Sequence, residues 1–221
     1  MKLAIYDMDR TITRGPTWTP WLLFWLRHEA PWRALLLPLL LLALLGYALR
    51  LFDRGMLKSA MQRLVMGSRV ARDRVSRAAA RHADAVQAGN VRAGALARIA
   101  ADRAEGFRIL LATASCHFYV DGLAAAWGIE DVVATRNRWE GDMLLPALDG
   151  PNCYAEAKAA LVRRWLADQG IDLGACEVRA YSDHISDLPL FALADEAVAA
   201  NPSRALRDHA QAAGWRIEDW P

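Results

Sequence analysis

Lys2-Leu3-Ala4-Ile5-Tyr6-Asp7-Met8-Asp9-Arg10-Thr11 is the stretch on which the reading of this chain turns. An apolar run of strand length ends in two carboxylates two residues apart, followed by a hydroxyl. Side chains alternate along an extended backbone, so Asp7 and Asp9 point the same way while Met8 points back. In an open α/β sheet, ligands bind at the carboxyl ends of the strands. Two close carboxylates repel unless a cation or a shared proton relieves them, so a divalent metal is the first group to ask for.

Working outward, the same pattern recurs. Phe107-Arg108-Ile109-Leu110-Leu111-Ala112 is a near-continuous apolar strand, as a buried parallel strand should be, and it ends in Thr113-Ala114-Ser115. A helix from Phe118 to Trp127 and a short strand, Asp131 to Thr135, follow. A turn-rich stretch from Asn137 to Pro151 leads into a helix from Tyr154 to Gln169 that carries Lys158. A strand from Cys176 to Tyr181 ends in Ser182-Asp183-His184-Ile185-Ser186-Asp187, and a helix from Leu188 and a strand, Ala197 to Ala200, complete the alternation. Strands alternating with helices predict an α/β fold, a doubly wound parallel sheet covered on both faces. Helical periodicity from Asp53 to Ala88, broken at Gly67-Ser68, makes residues 14–90 an all-helical insert, a cap on a core of residues 1–13 and 91–221.

Within the insert, Trp18, Trp21, Trp25 and Trp32 resemble an interfacial aromatic belt. Ala34 to Leu49 is an uncharged run of sixteen residues, mostly leucine, interrupted by Pro38 and Gly46. A spanning helix needs about 20 apolar residues, so the run reads as a buried core helix or as a segment dipping into one leaflet. Nine Lys and Arg between Arg50 and Arg81 face only Asp53 and Asp73, so this segment carries +7 in a chain of net charge +2. A basic surface beside an apolar run suits an anionic membrane face rather than nucleic acid. Three widely spaced cysteines, Cys116, Cys153 and Cys176, suggest reduced thiols. The chain starts directly on the acidic strand, which points to a cytoplasmic catalytic part without a leader. His28, His82, His117 and His209 form no ligand spacing and read as surface residues.

Three strand ends thus deliver Asp7 and Asp9, Thr113 or its neighbour Ser115, and Asp183 and Asp187 to one rim, with Lys158 from a helix. That set suits phosphoryl transfer: a carboxylate nucleophile, a second carboxyl as proton donor, a hard cation, and a hydroxyl and an ammonium to hold the phosphoryl group.

The order of these pieces resembles the haloacid dehalogenase superfamily of aspartate-nucleophile phosphatases. Asp7-Met8-Asp9-Arg10-Thr11 fits its Asp-x-Asp-x-Thr motif, Thr113 the second motif, Lys158 the third, and Asp183 through Asp187 the fourth. The resemblance implies Asp7 as nucleophile and Asp9 as general acid and then base. It implies Mg2+ held by Asp7, the main-chain carbonyl of Asp9, and Asp183, with Asp187 supporting. Thr113 and Lys158 would grip the phosphate, with Ser115 the rival hydroxyl.

An insert between the first and second motifs is the arrangement of the phosphoserine-phosphatase-like branch. Two features depart from it. Arg10 stands where glycine is common, and Thr13 to Leu26 contains no acidic residue to meet a substrate ammonium. The apolar insert instead looks like that of the membrane-associated phosphatidylglycerophosphatases, which implies a lipid phosphate substrate at the cytoplasmic side of the inner membrane. The rival expectations are a soluble small-metabolite phosphatase with a buried apolar cap, an inactive lipid- or partner-binding module, and a phosphotransferase.

Overall fold

The computed structural model describes residues 1–51 and 53–221. In chain order its elements are β1 (Lys2–Tyr6), α1 (Trp18–His28), α2 (Leu37–Ala48), α3 (Arg54–Val65), β2 (Val70–Ala71), α4 (Arg72–Gly89), α5 (Ala93–Ala104), β3 (Phe107–Cys116) and α6 (His117–Ala126). Then come β4 (Asp131–Thr135), β5 (Asn137–Glu140), β6 (Met143–Leu148), α7 (Glu156–Asp168), β7 (Glu177–Ser182), α8 (Leu188–Phe191), β8 (Glu196–Ala200), α9 (Arg204–Ala213) and β9 (Arg216–Glu218).

Six strands form one parallel sheet in the order β4-β3-β1-β7-β8-β9. β1 lies in its interior because its side chains are apolar on both faces. Leu3 and Ile5 pack with Val162 and Leu166 of α7, whereas Ala4 and Tyr6 pack with Ile99 of α5 and Leu123 of α6. The chain leaves β1 toward β3 on one side and returns to β7 on the other. The carboxyl end of β1 is therefore the topological switch point, where a crevice opens in a doubly wound sheet.

Beneath that crevice a buried polar network ties the layers together. The Tyr6 ring stacks on Tyr181 at 4.2 Å, and its hydroxyl donates to Asp102 Oδ2 at 2.5 Å. Asp102 is fully buried and accepts from both Arg98 and Arg179, so its charge is paired as a buried carboxylate requires.

The segment between β1 and β3 holds α1 to α5, but it is not wholly helical. Val70–Ala71 pairs antiparallel with β6, and the stretch read as turns between Asn137 and Pro151 is a hairpin, β5 and β6, making a three-stranded sheet ordered β2-β6-β5. The hairpin is short and turns on Gly141, whose φ of 55° suits glycine. The sequence reading also passed over α9 and β9, which close the far edge of the main sheet.

The leucine run is not a core helix. Only Ala43 and Gly46 of α2 are buried, while Leu41, Leu42, Leu45 and Leu49 are each more than half exposed. Pro31–Ala48 is the one helical stretch among the described residues long and apolar enough to cross a membrane, and 11% of it is buried. Arg33 pins its start by donating to the carbonyls of Arg63 and Leu64 at the end of α3. His82, expected at the surface, is buried among the rings of Trp21, Phe24 and Tyr119, because α4 turns that face toward α1 and α6.

Candidate functional site

Asp7 begins the loop after β1 and stays in line with the sheet: its N–H donates to the Tyr181 carbonyl at 2.9 Å. The carboxylate is almost wholly buried. Lys158 Nζ, from the first turns of α7, donates to Asp7 Oδ1 at 2.7 Å and to Asp187 Oδ2 at 2.7 Å, so one ammonium bridges two carboxylates from different strand ends. Thr11 Oγ1 reaches Asp7 Oδ2 at 3.2 Å, and Ser182 Oγ donates to Asp187 Oδ2 at 2.6 Å. At 3% exposure, Lys158 is the reverse of a solvated helix lysine.

Burial is the largest influence on Asp7 and raises its carboxyl above the ordinary range; Lys158 opposes this while Asp187 and Asp183 reinforce it. Burial works against the Lys158 ammonium, but Asp7 and Asp187 outweigh it and hold its pKa above the usual lysine value. Burial and then the Asp187 charge push Asp183 up to about 6, against the pull of Arg10. Arg10 itself holds a φ of 65°, a left-handed conformation that costs a side-chain-bearing residue roughly 1 kcal/mol.

Asp9 is held from both sides. Its Oδ1 accepts from the Thr17 N–H and the Thr17 hydroxyl, each at 2.8 Å, and its Oδ2 accepts from Ser115 Oγ at 2.8 Å. The Thr17 hydroxyl also lies 3.1 Å from Tyr119 OH. Of the two rival hydroxyls, Ser115 thus touches Asp9. Thr113 is fully buried and accepts the Ser115 N–H at 3.1 Å.

These groups surround a cavity of about 240 Å3 lined by Asp7, Asp9, Arg10, Arg54, Ala114, Tyr154, Lys158, Asp183, His184, Ser186 and Asp187. The structure therefore brings together every acidic residue singled out in the sequence, with Lys158. Thr113 lies behind the lining, with Ala114 in front. His184 lines the loop and bonds Ser186 rather than reaching toward a ligand cluster. Thr17, Tyr119, Arg54 and Tyr154 were not anticipated. Thr17, a threonine just before a helix, carried a capping signal, but nothing in the sequence aimed it at Asp9.

The donor set fits a hard cation. Asp187 Oδ1 is buried without a partner, and the four carboxylates lining the cavity outnumber the three cations beside them, Lys158, Arg10 and Arg54. No three His, Cys, Asp or Glu side chains among the described residues form a complete cage. Magnesium sites typically use one or two carboxylates together with water and substrate phosphate.

The model of the haloacid dehalogenase-like hydrolase family matches residues 4–192, from β1 to the end of α8. The chain belongs to that family. A Mycobacterium tuberculosis protein named a probable phosphatase is 33% identical over 124 residues, which is 54% of this hydrolase and 40% of the relative. The chain thus aligns with only about two-fifths of the length of that relative. A protein of unknown function from Bordetella pertussis Tohama I superposes with a TM-score of 0.86 at 25% identity, covering 99% of this chain and 98% of the other. A substrate-bound phosphoserine phosphatase superposes with a TM-score of 0.63 over 98% of this haloacid dehalogenase-like hydrolase and 92% of its own chain. At 15% identity that likeness is one of fold.

Proposed function

We propose that the protein is a Mg2+-dependent phosphomonoester hydrolase working through an aspartyl-phosphate, and that its substrate is a lipid phosphate such as phosphatidylglycerophosphate. The observation that carries the chemistry is the Lys158 bridge between Asp7 and Asp187 at the switch point of the sheet. It favours the charged form of Asp7 against the effect of burial, at a cavity that also presents Asp9.

In this reading an Asp7 oxygen attacks phosphorus and the bond to the leaving alcohol breaks. Asp9 gives a proton to the departing alkoxide. As a carboxylate it then takes a proton from water, whose oxygen attacks the aspartyl-phosphate and frees Asp7 and inorganic phosphate. Thr17 and Ser115 keep Asp9 oriented for both transfers. Asp7, the Asp9 carbonyl and Asp183 would hold Mg2+, supported by Asp187, and the ion would supply positive charge to the transferring phosphoryl group. Lys158 supplies a second cation to that group, and the hydroxyls of Thr113 and Ser115 order the end of β3 that faces it. Residues 1–13 and 91–221 form the catalytic core in this reading, and residues 14–90 its cap.

The lipid substrate rests on α2. Its leucines face outward, and Tyr47 at its end joins the lining of a second cavity that also contains Asp9. The helical stretch Pro31–Ala48 is 18 residues long, at the lower limit for a span, and is interrupted by Pro38 and Gly46, which favours lying in one leaflet over crossing. Arg50 just after it and Arg63 on α3, both exposed, suit an anionic cytoplasmic leaflet.

The test is phosphate release in mild detergent with Mg2+ from phosphatidylglycerophosphate and from phosphoserine, with Asp7→Asn as control. Lipid turnover lost in the variant supports the proposal. Turnover of phosphoserine alone replaces the lipid reading with that of a small-metabolite phosphatase.

A further inference from the structure

The hydrogens around Asp9 can be followed one by one. Asp9 Oδ1 accepts twice, from the Thr17 N–H and from the Thr17 hydroxyl. Oδ2 accepts once, from the Ser115 hydroxyl. A carboxylate oxygen offers two lone-pair positions, so Oδ1 is filled and Oδ2 keeps one open.

This arrangement has a competitor. The Thr17 and Ser115 hydroxyls lie 3.0 Å apart, each with a single hydrogen, so Ser115 can donate to Thr17 instead of to Asp9. Tyr119, near the start of α6, closes that route. It is fully buried, its ring stacked on Trp21 at 5.2 Å, with Phe118 and His82 edge-on to it at 5.6 and 5.9 Å. The hydrogen-bonding neighbour of its hydroxyl is Thr17 Oγ1, at 3.1 Å. Burial and then the Asp9 charge hold that hydroxyl well above the ordinary tyrosine pKa, so it keeps its hydrogen.

The direction of each bond follows. A hydrogen bond to a carboxylate is stronger than one to a neutral hydroxyl, so Thr17 and Ser115 both turn their hydrogens to Asp9. A buried hydroxyl hydrogen without an acceptor is costly, so the Tyr119 hydrogen goes to Thr17 Oγ1. There it occupies the acceptor position that Ser115 would otherwise use, and it polarises the Thr17 hydroxyl toward Oδ1.

We infer that Tyr119 is a positioning residue that acts through Thr17 to saturate Asp9 Oδ1, leaving Oδ2 as the oxygen that moves the proton. This rests on the phosphatase reading above. As the bond from phosphorus to the leaving oxygen breaks, its electron pair stays on that oxygen, which takes a proton from Asp9 Oδ2. In the second half-reaction the same atom receives the proton of the attacking water.

Two aryl-bearing esters test the wiring with the full chain and Mg2+. Para-nitrophenyl phosphate releases a stable anion, whereas benzyl phosphate releases an alkoxide that has to be protonated as it departs. The readout is the ratio of their kcat/KM values. Tyr119→Phe removes one oxygen and keeps the ring in its stack, so the melting temperature should stay within a few degrees. The ratio should widen in favour of the nitrophenyl ester by about tenfold or more, through kcat rather than KM. Thr17→Val should widen it too, and the double variant should go no further than Thr17→Val alone, because both changes cut one chain of hydrogen bonds. A ratio that Tyr119→Phe leaves unchanged, whether both esters slow equally or neither does, overturns the inference, as do additive effects in the double variant. Cleavage of neither ester by the wild type would remove the phosphatase reading and the inference with it.

Discussion

Thr17 places two donors on one oxygen: its N–H and its hydroxyl both reach Asp9 Oδ1 at 2.8 Å. The residue precedes α1, so the start of the helical insert is wired to the carboxyl group assigned as acid and base. Thr17→Val keeps the N–H contact and the volume but removes the hydroxyl that also meets Tyr119 and Ser115. Losing that anchor should lower kcat about 10- to 100-fold with little change in KM, since a misaimed proton donor forfeits its share of general acid catalysis. Thr17→Ser should restore most of the rate. Steady-state kinetics on para-nitrophenyl phosphate checks both.

Lys158→Met should be felt as instability as well as inactivity. Removing the ammonium leaves Asp7 and Asp187 buried without their shared partner, and breaking such a pair costs about 3–5 kcal/mol. The sign with pH follows. Asp7, whose carboxyl is raised by burial, is protonated in the folded state at low pH and must ionise as pH rises, so the variant loses stability with increasing pH. Urea midpoints at pH 5 and pH 8 should show the larger deficit at pH 8.

His82 makes the wild type acid-sensitive. Burial among aromatic rings drives its pKa down to about 4. Above the unfolded value of about 6.5 the imidazole is neutral in both states and stability is undiminished. Below that pH the unfolded chain takes up a proton that the fold refuses, so stability falls by up to about 1.4 kcal/mol per pH unit until pH 4. His82→Phe should flatten this part of the curve in thermal melts between pH 6.5 and pH 4.

The outward leucines can be tested without disturbing the core. Leu41 and Leu42 are 67% and 65% exposed, so Leu41→Glu with Leu42→Glu should leave the melting temperature within a few degrees. Each leucine withheld from an apolar phase forfeits about 1.5–3 kcal/mol. Flotation with vesicles rich in anionic lipid should therefore drop at least tenfold. Undiminished flotation would remove α2 as the contact surface.

The parallel sheet was legible because its strands are nearly pure apolar runs ending in polar punctuation, as at Leu110-Leu111-Ala112-Thr113. Asp7, Asp9, Asp183, Asp187 and Lys158 were legible because each stands at the end or start of such an element, and topology brings those ends together. What escaped notice depends on contacts distant in sequence. Nothing near Thr17 announces Asp9, and nothing near Arg54 announces Tyr154. Val70–Ala71 is extended only because β6 lies beside it, and Asn137 to Leu148 carries the Gly141 turn but too weak an alternation to stand out as a hairpin. His82 was misplaced because the alanine-rich α4 offers few large side chains to mark its inner face, which its partners on α1 and α6 define.

The ends of the helical segment are clasped: Thr13 bridges Val91, Arg14 N–H donates to the Asn90 carbonyl, and Arg92 N–H donates to the Ile12 carbonyl. This bears on the order in which the chain folds. Lys2 must find Phe107 across about a hundred intervening residues before the central strands can pair. Once the clasp has formed, the open loop shrinks to the short stretches on either side of it. Closing a loop about four times shorter saves roughly 1 kcal/mol of chain entropy. A segment that reads as an interruption of the sheet thus becomes a splint, bringing β1 and β3 within reach of each other.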